Sequence, residues 1–231
     1  MLELKNISKT FNAGTVNQKV ALNGLNLTMN EGDFVTVIGG NGAGKSTMLN
    51  AIAGVFPVDT GKILIDGVDV TALPEYKRAK YIGRVFQDPM MGTAATMQIE
   101  ENLALAARRG KPRTLRLGIT KADRAFYREQ LQILDLGLEE RMTTKVGLLS
   151  GGQRQALTLL MATLVTPKLL LLDEHTAALD PATAEKVLAL TKKIVAENHI
   201  TCLMITHNIP SALSLGNRTI MMNNGRIVLE P

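Results

Sequence analysis

Gly39-Gly40-Asn41-Gly42-Ala43-Gly44-Lys45-Ser46-Thr47 decides the reading of this chain. The spacing is glycine, four residues, then Gly-Lys-Ser, the pattern of a loop that cradles phosphates. Upstream, Asp33 to Ile38 is a short apolar run rich in β-branched residues and predicts a strand. Downstream, Lys45 to Ala53 predicts a helix. Glycines let the backbone curl so that its N–H groups face phosphate oxygens. The helix that follows turns its free N–H groups and positive dipole end to the same anion. In that setting Lys45 reaches the β- and γ-phosphates of a nucleotide, and the Ser46 hydroxyl is placed for Mg²⁺.

A second stretch completes that chemistry. Leu169-Leu170-Leu171-Leu172 is a continuous apolar run, expected of a parallel strand buried on both faces. It delivers the chain to Asp173-Glu174. Ligands of parallel sheets gather beyond the carboxyl ends of the strands, so both acids sit where a Mg-nucleotide would lie. Asp173 is placed to hold Mg²⁺, through water, and Glu174 to polarise an attacking water as general base. His207 follows the next strand, predicted over Thr201 to Thr206, and is expected near the same phosphates. Gln87 closes the strand Tyr81 to Phe86; a neutral amide there can bind Mg²⁺ or water. His199 is expected to be a solvated loop residue.

Strand patterns also cover Leu2 to Ile7, Val20 to Met29 and Lys62 to Ile65. The chain closes on Arg218 to Met222, the turn Asn223-Asn224-Gly225 and Arg226 to Leu229, a hairpin pattern. From Asp88 to about Leu149 helical spacing dominates, as in Tyr127, Leu131, Leu134 and Leu138, which predicts an inserted helical lobe. Pro181 suits the first turn of a helix reaching about Glu197. Strands alternating with helices imply a mostly parallel α/β sheet.

The 231 residues suit one compact domain or a core with an inserted lobe. Hydrophobic residues at 45% supply a core, and charged residues at 20% argue against disorder. A formal charge of +5 fits nucleic acid, anionic lipid or nucleotide phosphates without choosing among them. The single cysteine, Cys202, excludes an intrachain disulfide and lies in the apolar run Thr201-Cys202-Leu203-Met204-Ile205, so a buried, inert thiol is expected. Met1-Leu2-Glu3-Leu4-Lys5 lacks the basic start and apolar stretch of a signal peptide, and no apolar run approaches the ~20 residues needed to span a bilayer.

Leu149-Ser150-Gly151-Gly152-Gln153 opens another predicted helix. A serine and two glycines at a helix N-terminus make a second anion site. One loop already cradles one nucleotide, so a second phosphate reader points to a nucleotide held by a different chain.

Together these residues resemble the nucleotide-binding domain of ABC transporters over essentially the whole chain. Gly39 to Thr47 is similar to its Walker A, Gln87 to its Q-loop and Leu149 to Gln153 to its signature motif. Leu169 to Glu174 is similar to its Walker B with the catalytic glutamate, Ala178-Leu179-Asp180 to its D-loop, and His207 to its switch histidine. The resemblance implies a P-loop (RecA-like) α/β core, mostly parallel, with an antiparallel β subdomain and an inserted α-helical subdomain. It implies one domain over 1–231, with 1–88 and 160–231 forming the core and 89–159 the helical subdomain. It implies a head-to-tail dimer of two ATPase subunits, expected to be a homodimer, sandwiching two ATP molecules with Mg²⁺. Each ATP lies between the Walker A of one chain (Gly39, Asn41, Gly42, Ala43, Gly44, Lys45, Ser46, Thr47) and the signature of the other (Ser150, Gly151, Gly152, Gln153). Lys45, Gln87, Glu174 and His207 carry the catalytic expectation, and Ser46, Gln87 and Asp173 the metal. Phe11 matches an aromatic position that stacks on adenine; a core phenylalanine is the alternative.

The implied partners are a separate integral-membrane permease, an extracytoplasmic solute-binding protein of the same system, and no nucleic acid. The implied place is the cytoplasmic face of the cell membrane. His175 departs from the family, which usually has proline after the glutamate; this variant is reminiscent of bacterial importers and points to uptake of a small solute, with an amino acid as candidate. Asp88-Pro89-Met90-Met91 lies where a permease helix would dock; a core role for one of the methionines is the alternative. The basic run Arg108, Arg109, Lys111, Arg113 and Arg116 reads as a solvated loop or as a contact with lipid headgroups. ABC-type ATPases of DNA repair or chromosome organisation share this core but carry long heptad coiled coils, for which the sequence has no room.

Overall fold

In the computed structural model of the chain, residues 1–111 and 118–229 are described. In chain order the elements are β1 (Leu2–Phe11), β2 (Lys19–Met29), β3 (Phe34–Ile38), α1 (Lys45–Ala53), β4 (Thr60–Ile65), β5 (Val68–Asp69), α2 (Glu75–Arg78), β6 (Ile82–Val85), α3 (Ile99–Ala106) and α4 (Lys121–Gln132). There follow α5 (Gly151–Thr163), β7 (Leu169–Asp173), α6 (Pro181–Glu197), β8 (Thr201–Ile205), α7 (Ile209–Leu215), β9 (Arg218–Asn223) and β10 (Arg226–Leu229). The chain divides into two compact units.

The first unit comprises Met1–Ile82, Lys168–Glu174 and the chain from His199 onward. It holds an antiparallel sheet in the order β2-β1-β4-β5 and, in a second sheet, the run β10-β9-β3-β8-β7. In that second sheet β3 pairs in parallel with both β8 and β9, and β7 in parallel with β8. The four leucines Leu169 to Leu172 are each at most 1% exposed, the two-sided burial that their unbroken run predicts. Leu2 and Leu4 of β1 face the core in alternation with Glu3 and Lys5, and a bulge at Asn6 (φ 55°) shifts the register so that Ile7 faces it too. β9 and β10 form the predicted hairpin. Asn224 (φ 48°) and Gly225 (φ 72°) both take the left-handed backbone that a two-residue turn of matching twist demands.

One buried charge organises this unit. Arg78, 2% exposed, donates to the carbonyls of Ala51 and Ile52 at 2.8 Å each, Leu73 at 2.7 Å and Thr71 at 3.0 Å. It thereby adds a donor to carbonyls at the C-terminal end of α1, where a cation is favoured. Burial lowers the Arg78 pKa from the usual arginine range. Cys202 is fully buried in β8, and burial drives its thiol pKa far up, so the thiol is inert as expected.

The second unit comprises Gly83–Pro167 and His175–Asn198. Its core joins Ile99 and Leu103 of α3, Tyr127 and Leu131 of α4, and Leu157 and Leu160 of α5. The spacing Tyr127, Leu131, Leu134, Leu138 is buried throughout, but the helix stops at Gln132; Leu134 and Leu138 follow in a turn and a short 3₁₀ segment, Leu138–Glu140. Arg124 of α4 grips Glu100 of α3 with two bonds, at 2.9 and 3.0 Å. Each helix start follows a local rule. Thr120 caps α4, Ser150 caps α5, and Asp180 caps α6 with Pro181 in the first turn.

The basic run is not one thing. Arg109 donates to the carbonyls of Ala162 and Val165 at the end of α5, and burial lowers its pKa from the usual arginine range. Arg108 donates to the Gly118 carbonyl at 3.0 Å. Neither is simply solvated: Arg109 is a helix C-terminal cap, and the lipid reading loses it. Lys111 is exposed, and Arg113 and Arg116 lie outside the described residues. Met90 and Met91 are 42% and 69% exposed, so the core alternative for this pair gives way to a surface one. Among the described residues, no helix is long and apolar enough to cross a membrane.

Candidate functional site

The register of the parallel strands sets the site. Val37 of β3 aligns with Ile205 of β8, and Asp173 of β7 aligns with Ile205 as well. Gly39, Glu174 and His207 therefore all leave the sheet at one edge, its carboxyl edge. Here lies a cleft lined by Asn41, Gly42, Ala43, Gly44, Lys45, Ser46, Thr47, Glu174 and His207, with Lys19 and Ala21.

Each part of the cleft has a local cause. Gly44 (φ 102°) caps α1, and a Cβ there would stand 2.6 Å from the Ala21 carbonyl oxygen, so only glycine lets the loop pass β2. Lys45, 6% exposed, donates through Nζ to the carbonyls of Gly39 (2.7 Å) and Gly40 (3.1 Å), which hold its ammonium over the loop. Ser46 is exposed in the first turn of α1.

Glu174 has φ 47°, a left-handed backbone that costs a non-glycine residue roughly 1 kcal/mol or more. Its N–H donates to the Ile205 carbonyl at 3.1 Å, which anchors the turn. Its Oε1 stands 2.6 Å from His207 Nε2, and both side chains face the cleft. The imidazole N–H is the donor in this bond. A carboxylate hydrogen-bonded to an imidazole, over a loop of N–H donors and a lysine, is equipped to hold a polyphosphate and to activate water beside it. The oxygens that could serve a metal are the Ser46 hydroxyl, in the cleft, and the Asp173 carboxyl, which ends β7 outside its lining. They are few, hard oxygens, which suits Mg²⁺ completed by phosphate and water. Among the described residues, no group of three or more His, Cys, Asp or Glu stands together.

Phe11 ends β1 half-buried, edge-on to Phe56 at 5.2 Å between ring centroids, with Lys9 Nζ 5.7 Å from each ring. It does not line the cleft. Lys19 does, and sequence reasoning missed it: its place depends on strand register, which no local motif announces.

Of the remaining predicted residues, all but His199 belong to the second unit and are described there alone. Gln87 is exposed in the bend after β6. Ser150 Oγ accepts from the Gln153 N–H at 3.2 Å, and Gln153 Oε1 accepts from the Ser150 N–H at 3.1 Å, a reciprocal cap. Arg154 donates to the carbonyls of Val146, Gly147 and Leu149 and steadies the approach to this cap. Gly151 is exposed, and Gly152 packs so closely on Thr183 of α6 that a Cβ would collide with it. His175, 2% exposed, bonds Thr191 Oγ1 at 3.1 Å, and burial lowers its pKa to about 4. Thr191 already donates to the Val187 carbonyl, so the neutral His175 ring is the donor and carries its proton on Nε2. This position after the glutamate is thus a packed, uncharged strut. His199 is exposed, as expected of a loop residue.

A family model described as "ABC transporter" matches residues 22–177. A tyrosine transport ATP-binding protein of Clostridioides difficile (strain R20291) is 45% identical over 230 residues, covering 100% of this chain and 91% of that protein. A methionine import ATP-binding protein of Corynebacterium efficiens is 35% identical, covering 98% of this chain and 61% of that protein, so the chain spans about three fifths of that relative's length. A solved dimeric ATP-binding cassette, in a post-hydrolysis state with ADP and Pi, is similar at a TM-score of 0.85 and 33% identity, covering 100% of this chain and 98% of that one.

Proposed function

The chain belongs to the ABC transporter family, as an ATP-binding subunit that hydrolyses ATP for transport, and from that premise we propose how its residues divide the work. The observation that carries the proposal is the Glu174–His207 pair, 2.6 Å apart in the cleft of the phosphate loop. Glu174 accepts a proton from the attacking water as general base. His207 holds that carboxylate in place through Nε2–H and, with nucleotide bound, turns the same N–H to the γ-phosphate. Lys45 and the N–H groups of Gly39 to Thr47 hold the phosphates, and Phe11 offers its ring to adenine. Ser46, Asp173 and Gln87 would hold Mg²⁺, which would supply charge neutralisation for the phosphates.

Ser150, Gly151, Gly152 and Gln153 read the γ-phosphate of ATP held by a second copy of the chain. ATP then binds the closed pair better than the open one, and that difference is what drives a separate membrane permease. What supports pairing is the dimeric solved cassette of like fold. The chain accordingly works at the cytoplasmic face of the membrane, served by an extracytoplasmic solute-binding protein. An amino acid is the cargo class, a reading supported by the tyrosine transport relative that matches along the whole chain. The DNA-repair reading is set aside, since these relatives are transport subunits.

Specific ATPase activity measured against protein concentration tests the shared site, together with the mass of Glu174→Gln in ATP by light scattering. Activity per chain that rises with concentration, with a two-chain mass for the variant, is expected. An ATP-bound variant that stays a single chain defeats the assignment of Ser150 to Gln153 across the pair.

A further inference from the structure

We infer that Lys19 is a second phosphate-binding cation of the nucleotide site, reaching over the outer lip of the loop from the strand that pairs with Phe11. The inference rests on the ATP-site reading above and adds a residue that none of the phosphate motifs contains.

Three observations converge. In the antiparallel pairing of β1 with β2, Phe11 is directly opposite Lys19. Opposed residues of a pair project to the same face, so the aromatic ring and the lysine stem are neighbours there. Two residues on, where the pairing shifts register, the Ala21 carbonyl oxygen lies against Gly44. The tight passage of Gly44 past β2 therefore fixes the strand that carries Lys19 against the phosphate loop. The Lys19 ammonium in turn stands 3.7 Å from the place a Cβ on Gly42 would take, and it lines the cleft with Lys45, Glu174 and His207.

The two lysines of the cleft differ in how they are held. Lys45 spends donors on the Gly39 and Gly40 carbonyls and is buried. Lys19 is exposed, and among the described residues its ammonium has no hydrogen-bond or ion-pair partner. An ammonium on a flexible stem is a mobile point charge, suited to a polyanion whose oxygens vary in position. Among the described residues, Glu174 is the one carboxylate lining the cleft, set against the two lysines there.

The test compares ATP and ADP affinity, by titration calorimetry at low and high salt, for the full chain, Lys19→Gln and Lys19→Arg, with melting curves confirming that each is folded. Lys19→Gln is expected to weaken both nucleotides roughly threefold to tenfold and to flatten the salt dependence, while Lys19→Arg retains most of both. In turnover, the rise in KM outweighs any change in kcat. If the parent chain binds ATP and Lys19→Gln matches it in affinity and salt dependence, Lys19 is not a phosphate ligand and the ATP-site reading stands. Equal loss in Lys19→Gln and Lys19→Arg overturns the charge argument. A parent chain that does not bind ATP defeats both readings at once.

Discussion

Glu174 sits in a backbone conformation that its residue type disfavours, with its carboxylate 2.6 Å from His207. Strain held at a strand end beside a phosphate loop is what a positioned base requires. His207→Ala is expected to slow ATP hydrolysis about 10²-fold while nucleotide affinity stays near that of the parent, a difference that turnover and calorimetry separate. Away from the site, Asp33 ties the start of β3 to β9. Burial pushes its carboxyl up. Bonds from the Asn30 N–H, Arg218 and Asn217 outweigh that and hold it below the ordinary carboxylate range. The unfolded chain then takes up this proton first as pH falls. The contribution is whole above the usual Asp pKa of about 3.9 and is lost as pH falls from there through the lower folded value. Urea unfolding across acid pH should show Asp33→Asn less stable at neutral pH and with a shallower acid decline. At this scale the sequence was legible where a motif fixes spacing, as in Lys45, Ser46 and Glu174. It was silent on Arg78, Lys19 and His175, whose roles come from carbonyls, strand register and a threonine that lie far off in the chain.

Helix α5 shows how an element is held at both ends. Ser150 and Gln153 close its start, and Arg109, from the segment after α3, donates to the carbonyls of Ala162 in its last turn and Val165 just past its end. Arg109→Ala leaves those carbonyls without their cation and is expected to cost about 2 kcal/mol, read from urea unfolding. Lys111→Ala, at an exposed position, is expected to change stability by less than about 0.5 kcal/mol. Charge alone grouped these two residues in the sequence; burial separates them. Elements with their own start signals, such as α1 after the glycines and α6 after Asp180-Pro181, were legible to within a residue or so. Helix α7, seven residues behind Asn208, and the single turn of α2 were not, because so few residues show no period.

Over the whole molecule, the phosphate loop, Asp173, Glu174 and His207 belong to one compact unit, and Gln87, Ser150 to Gln153 and Asp180 to the other. The sequence carried the essential hint, two phosphate readers on a chain with one cradle. The division that places α6 with the helical unit was not visible, since it depends on packing between α5 and α6 rather than on order along the chain. The central claim remains that this molecule spends ATP through the Glu174 carboxylate. The direct measurement is phosphate release from Mg-ATP by the parent chain and by Glu174→Gln, each shown by calorimetry to bind ATP. The account predicts turnover by the parent chain, and a variant that binds ATP yet releases phosphate at least about 10²-fold more slowly. A variant that turns over at the parent rate contradicts it.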